Sequence, residues 1–168
     1  MSTRVQTDLL AIARGYADRP DDWPFAPRFD PVKRWYHRLS PETADEDVAA
    51  EAEVWLLTWL PGQETELHDH GGSAGAFIVV SGTLTERTLR SPASALSTLD
   101  SATLDSTTLP AGAGRRFDAH HIHQLRNDGT RPAVSVHAYG PALATMTRYR
   151  LDEGRLRVES VDRAGVQW

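Results

Sequence analysis

The chain has no cysteine among its 168 residues. That excludes a disulfide framework, a thiolate metal site and a cysteine nucleophile. No apolar run approaches the ~18 residues that a membrane span needs. The N-terminal MSTRVQTDLL lacks the apolar block of a signal peptide. Positive charge is in deficit, with 18 Lys and Arg against 23 Asp and Glu and a net charge of -5. Nucleic acid and anionic membranes are therefore disfavoured as main partners. No repeat of fixed period is present, and no strand pattern alternates with a long helix, so a parallel α/β sheet is not expected. The rest is ordinary: 40% hydrophobic and 24% charged, close to globular usage. The length suits one domain with a proper core. The expectation is a single-domain cytoplasmic protein, and a monomer.

The first fifty residues read differently from the rest. Val5, Leu9, Ile12 and Tyr16 recur at helical spacing, with Thr3 or Thr7 as the N-cap. Pro20, Pro24, Pro27 and Pro31 then forbid a long helix. This part is expected to be a loop lying over the body of the protein, with Trp23, Phe25 and Phe29 as its packing surface. Residues 33–39 suit a first strand, and the acidic SPETADEDVAAEAE suits a solvated stretch. We take residues 1–50 as this helical and loop segment, and residues 51–168 as the β-rich body on which it packs.

From Val54 onward the pattern is short strands and turns. VWLLTWL ends at Pro61-Gly62, AFIVV ends at Ser81-Gly82, and TLTERTLR follows. ATLDSTTL, RRFDAHHIHQL, AVSVHAY, TMTRYRL and RLRVESV come next, with turns at LPAGAG, Asn127-Asp128-Gly129 and Glu153-Gly154. Many short β segments at 8–12 residue spacing indicate a sandwich or barrel. Residues 91–106 read as a long hairpin connection. Trp55, Leu57 and Trp59 should share one strand face, and Leu56, Thr58 and Leu60 the other.

Seven histidines are present, six of them between residues 68 and 137. His68 and His70 are one residue apart. On a strand both imidazoles project to one side and can share a metal, while Asp69 points away. Surface strands carry such pairs by chance, so the pair gains weight from its surroundings. Gly62 precedes it in a G-x5-H-x-H pattern, and Gly82 closes the segment after AFIVV. His123 to Asn127 forms an H-x3-N at the end of another β segment. His121 would share a face with His123, and His120 would oppose them. Both read as surface or supporting groups. Glu66, two residues before His68, is a weaker alternative ligand.

This two-part pattern resembles the two motifs of the cupin superfamily. The resemblance implies a mainly all-β double-stranded β-helix, or jelly-roll barrel, with a short helical N-terminal segment. Its first motif normally adds a glutamate, which would fall at Ala74 or Gly75, where no carboxylate stands. The implied metal ligands are therefore His68, His70 and His123. Three nitrogen ligands suit zinc, iron, copper or nickel.

Further residues narrow the resemblance. His68-Asp69-His70, with Gly82 and Thr-Leu-Thr-Glu86 beyond it, is similar to the iron-binding segment of cysteine dioxygenases. AVSVHAYGP resembles their AVSLHxYxPP segment and sets Ser135, His137 and Tyr139 on one strand face. WYHR resembles their YxR element and aligns Tyr36 and Arg38. The resemblance implies Fe(II) on the three histidines and the addition of both atoms of O2 to the sulfur of L-cysteine, giving cysteine sulfinic acid. A three-histidine set leaves the metal its full charge to favour a substrate thiolate.

It implies that Arg38, with Tyr36, binds the substrate carboxylate through paired hydrogen bonds. By position alone, Arg38 would instead be a surface arginine in an ion pair. It implies that Tyr139 directs its hydroxyl at the substrate or oxygen, oriented by His137 and in turn by Ser135. No nucleophile elbow surrounds Ser135. The position of the cross-linking cysteine in mammalian members is Gly75, so no thioether to Tyr139 can form. About 5–6% of X-Pro bonds are cis, so trans is the default at Gly140-Pro141, although the resemblance implies a cis bond nearby. Two alternatives stay open: dioxygenation of 3-mercaptopropionate or another small thiol, and a non-catalytic metal-binding cupin.

Overall fold

A computed structural model describes residues 7–41, 52–89 and 103–164. Two antiparallel sheets face each other. One runs β1 (Tyr36–Arg38), β2 (Glu53–Trp59), β9 (Ala133–Gly140), β4 (Ala74–Ser81), β7 (Gly114–Phe117). The other runs β11 (Arg155–Arg163), β10 (Thr145–Asp152), β3 (Leu67–His68), β8 (His123–Arg126), β5 (Thr83–Leu89), β6 (Leu104–Pro110). This is the double-stranded β-helix that the strand spacing and motifs imply. No described helix is long and apolar enough to cross a membrane.

Alternation decides what each strand offers the interior. Leu57 and Trp59 of β2 face inward and pack with Phe77, Val79, Leu84 and Leu125 from both sheets. Val54 and Leu56 face outward, yet are also buried. Their cover is α1 (Leu9–Ala17) and the proline-rich loop: Ala13, Ala17, Leu39, Trp23, Phe25 and Trp35 lie against the outer face of the five-stranded sheet. Phe29 stays exposed. On β9 the usual arrangement inverts. Val134, Val136 and Ala138 pack outward under the helix, while Ser135 and Tyr139 sit on the face that looks into the barrel. A buried polar row on the inner face needs partners, and the site supplies them.

Three local expectations change. The N-cap of α1 is Asp8, whose carboxylate accepts from the Leu10 and Ala11 backbone N–H groups at 3.1 Å. Asp8 displaces Thr7 because Arg116 of β7 also grips its carboxylate at 2.8 Å, tying the helix start to the sheet; Thr3 lies outside the described residues. The first strand shortens to Tyr36–Arg38, the stretch that meets Leu57, Leu56 and Trp55 of β2. The Gly140-Pro141 peptide is cis. Most of the acidic stretch and of the 91–106 connection falls outside the described residues. The Glu153-Gly154 turn stands as read, with positive φ at both positions (48° and 76°), as a two-residue hairpin turn requires.

Candidate metal centre and its cavity

His68 ends β3 and His123 begins β8, and the two are directly paired across the strands. His70 follows β3, just before a turn at Gly71 and Gly72. The three rings lie 4.8–5.1 Å apart by centroid, all are buried, and one nitrogen from each falls within 4.8 Å of the others. Asp69 points away. It accepts from the Thr147 N–H at 3.1 Å and from the Tyr149 hydroxyl at 2.7 Å.

The partners fix the tautomers. His68 Nδ1–H donates to the Glu66 carbonyl at 2.8 Å, and His123 Nδ1–H donates to Glu86 Oε1 at 2.9 Å. Both Nε2 lone pairs are thereby left for the common point. His70 has no hydrogen-bond partner on either ring nitrogen, though both are buried. Its ring is held by stacking on Phe117 at 4.6 Å. An orphaned buried imidazole facing two other lone pairs is what a metal satisfies. Burial drives His68 and His70 well below the ordinary histidine range, with mutual repulsion adding to it. Neutral imidazole is the ligating form. The donor set thus fits a metal ion.

Glu86 supports the centre without joining that set. Burial alone would raise its pKa, but bonds from His121 Nε2–H (3.1 Å) and His123 Nδ1–H hold the carboxyl far below the usual carboxylate range. Arg115 Nε donates to its other oxygen at 3.1 Å. Glu86, His121 and His123 could themselves surround an ion. There, however, a cation would compete with Arg115 and with the two donating N–H groups. Of the two groups, His68, His70 and His123 are therefore the better fit for an ion. Carboxylates that hold a ligating histidine tune metal affinity by 10–100-fold. Glu86→Gln is accordingly expected to lower affinity by about that factor, read by chelator competition; unchanged affinity would make Glu86 a packing residue only.

A cavity of about 60 Å³ adjoins His68 and His123. One water needs about 10–15 Å³ on that measure, so the space suits a ligand of a few heavy atoms. Tyr36, Trp55, Trp59, His137 and Tyr139 line it from the five-stranded sheet, and Arg34, Met146 and Arg148 also line it. The Trp59 indole N–H donates to Ser135 Oγ at 2.9 Å. Ser135 Oγ lies 2.8 Å from His137 Nε2, and His137 Nδ1 lies 3.3 Å from the Tyr139 hydroxyl. With Ser135 donating, His137 Nδ1–H turns to Tyr139 and leaves its hydroxyl hydrogen for the cavity. Burial keeps Tyr139 neutral by pushing its pKa up, against the pull of Arg34.

Of the residues singled out in the sequence, the structure brings together His68, His70, His123, Ser135, His137, Tyr139 and Tyr36. Arg38 stands apart. Its Nη1 lies 3.5 Å from Glu53, its Nε donates to Ser40 and its Nη2 to the Pro41 carbonyl. It does not line the cavity. Glu66 places its carboxylate on Arg148 at 3.1 Å, away from the histidines. Asn127 holds turns, donating to the Trp59 and Arg131 carbonyls at 2.9 Å. Sequence reasoning passed over Arg34 and Phe117. Arg34 lies two residues before Tyr36, which strand alternation could have flagged.

Fold and site define a cupin with a buried cluster of three histidines that could hold a metal ion. The model of the cysteine dioxygenase type I family matches residues 3–152; the chain belongs to that family of thiol dioxygenases. Among solved structures, the chain is similar to TT1209 from Thermus thermophilus (20% identity, TM-score 0.53, 69% of this chain and 90% of that one). It is similar to a Klebsiella pneumoniae protein described by its double-stranded β-helix domain (16%, TM-score 0.52, 79% and 90%). A recombinant oxalate oxidase in complex with glycolate matches at 18% identity and TM-score 0.57 over 71% of this chain, which spans 57% of that one. At these identities the likeness concerns the fold alone.

Proposed function

We propose that the protein is a non-haem Fe(II) dioxygenase that oxidises L-cysteine with O2 to cysteine sulfinic acid. The observation that carries this is the centre itself: three neutral imidazoles, no carboxylate in the set, and a small cavity beside them. His68, His70 and His123 would hold the ion. When bound, Fe(II) supplies the positive charge that favours a thiolate and the redox capacity to engage O2. The balance is simple: the thiolate sulfur gains both oxygen atoms and loses four electrons, and O2 takes them.

The chain's own residues do the rest. Leu57, Leu125, Leu143 and Met146 give the cavity an apolar lining that disfavours bulk water. Tyr139 presents its hydroxyl where the substrate head or oxygen would lie. Trp59, Ser135 and His137 keep that hydroxyl in one orientation.

A second reading keeps the chemistry and changes the thiol to 3-mercaptopropionate. It is favoured by the cavity wall, where no aspartate or glutamate among the described residues faces the space that an ammonium group would occupy. O2 uptake by iron-loaded protein with each thiol separates the readings. The cysteine reading expects the higher kcat/KM with L-cysteine. A far higher value with 3-mercaptopropionate selects the second reading. Iron-loaded protein that consumes no O2 with any small thiol leaves a metal-binding cupin.

A further inference from the structure

We propose that β11 is an interface with a second copy of this chain. Two β11 strands pair antiparallel about a two-fold axis between Glu159 and Ser160, joining two six-stranded sheets into one. The proposal stands apart from the reaction, and it departs from the monomer expected from the sequence.

β11 is the longest described strand and ends its sheet; among the described residues no strand pairs with its outer edge. Such an edge presents unpaired N–H and C=O groups to any strand that fits, and proteins commonly blunt it with proline or lysine. Residues 155–163 contain neither, and most of their side chains are exposed.

A bulge sorts these side chains. Between Arg148 and Tyr149 of β10 the register slips, so β11 carries an extra residue there. Val158 stands opposite Tyr149, and Val161 opposite Thr147. Thr147 and Tyr149 are two apart and share a face, so both valines share it too. Without the bulge, residues three apart would point to opposite sides. The shared face looks away from the cavity, because Leu67 pairs with Tyr149 while its neighbour His68 lines the cavity. It continues the apolar cluster of Leu67, Tyr149, Leu151 and Leu156. Val158 and Val161 extend it to the edge, 63% and 56% exposed. Arg157 and Asp162, opposite Arg150 and Met146, share the other face.

The stretch from Arg157 to Asp162 reads RVESVD, which complements its own reverse. With the axis between Glu159 and Ser160, Val158 meets Val161 of the partner subunit and Arg157 meets Asp162 of the partner subunit. Both pairs lie on matching faces, and the two bulges come together at the axis. Each pair occurs twice, as two-fold symmetry requires, and apolar and opposite-charge cross-strand pairs are the favourable kinds. A shift of one residue sets Val158 against Ser160 or Asp162 and mismatches the faces. A shift of two sets it against Glu159 or Arg163. Arg157 already touches Asp152 at 3.0 Å, and Asp162 touches Arg148 at 2.6 Å. A guanidinium and a carboxylate each have capacity for a second partner. Arg148 lines the cavity, so Asp162 would stand between the partner subunit and the site.

Sedimentation equilibrium on the whole iron-loaded chain tests this. The wild type should be dimeric at high concentration and dissociate on dilution. Val158→Lys and Arg157→Glu should each weaken the dimer by roughly 10- to 100-fold, since each substitution counts twice across the axis. Iron content and the Tm of the dilute protein should stay at the wild-type level. Val32→Lys, the same change at a valine that is 91% exposed elsewhere, should leave the dimer unchanged. Cross-linking reads the register, and the absence of native cysteine keeps it clean. Directly opposed residues lie within disulfide reach. An oxidised mixture of Val158→Cys and Val161→Cys proteins should form a linked pair, and either protein alone much less of it. A wild type that is monomeric at every concentration overturns the proposal. So does a dimer that Val158→Lys and Arg157→Glu leave intact, or one in which Val158→Cys alone links as well as the mixture.

Discussion

Replacing His123 by alanine is expected to leave the protein unable to retain iron, and with that to lose O2 consumption entirely. His123 sits at the meeting of two networks. Its Nε2 faces the lone pairs of His68 and His70, and its Nδ1–H is anchored on Glu86. Removing it takes away one of the three candidate ligands and one of the donors that hold the buried Glu86 carboxylate. Two imidazoles close together do not make a competitive site for a divalent ion when three are the norm. His121→Ala should behave differently, because His121 touches Glu86 but not the common point. It should keep iron at full occupancy with a modest loss of affinity. Elemental analysis of the two purified variants settles the assignment. Loss of iron from His121→Ala with retention in His123→Ala would move the ion to the cluster around Glu86.

Gly75→Cys is expected to be damaging rather than to install a thioether. A side chain at Gly75 would run into the far edge of the Phe117 ring and come within 3.0 Å of Tyr139 Cδ1. Phe117 cannot simply turn aside, because it is stacked between His70 at 4.6 Å and His121 at 5.1 Å. Overpacking of this kind costs about 1–3 kcal/mol. For a domain of this size that is a fall in Tm of several degrees, at about 2–4 °C per kcal/mol. Displacing Phe117 also frees the His70 ring, so iron affinity should fall in the same variant. Calorimetry and chelator competition read the two effects. Adding Phe117→Leu should recover part of both losses. A Gly75→Cys protein with wild-type Tm and iron affinity would show that Phe117 has room to move.

The fold and most of the centre were legible because they depend on alternation. His68 and His70 with one residue between, and Ser135, His137 and Tyr139 at every second position, state their common face in the sequence itself. Turn residues marked where strands stop. Arg38 shows the limit of that logic. Alternation gives the face of a residue, but not its place along the strand relative to a neighbouring strand. The register of β1 on β2 sets Arg38 opposite Trp55, and Arg38 falls to Glu53 of the same neighbour. Arg34 lies just before β1, in step with Tyr36 and Arg38, but alternation alone could not say which of these positions faces the cavity. Glu86 was visible only as part of a motif; its role emerged from the pairing of β5 with β8, which sets Glu86 against Leu125 and Thr88 against His123.

The contact between β3 and β8 is a single residue pair, His68 with His123. It is the thinnest seam in the six-stranded sheet, and both sides of it carry a ring of the centre. An ion gripping both rings would rivet two segments more than fifty residues apart in the chain. Shifting either strand by one position would swing its ring out to solvent. Occupancy of the centre and correct stitching of the barrel are therefore one condition, and chelation should loosen β3 before any other part of the sheet.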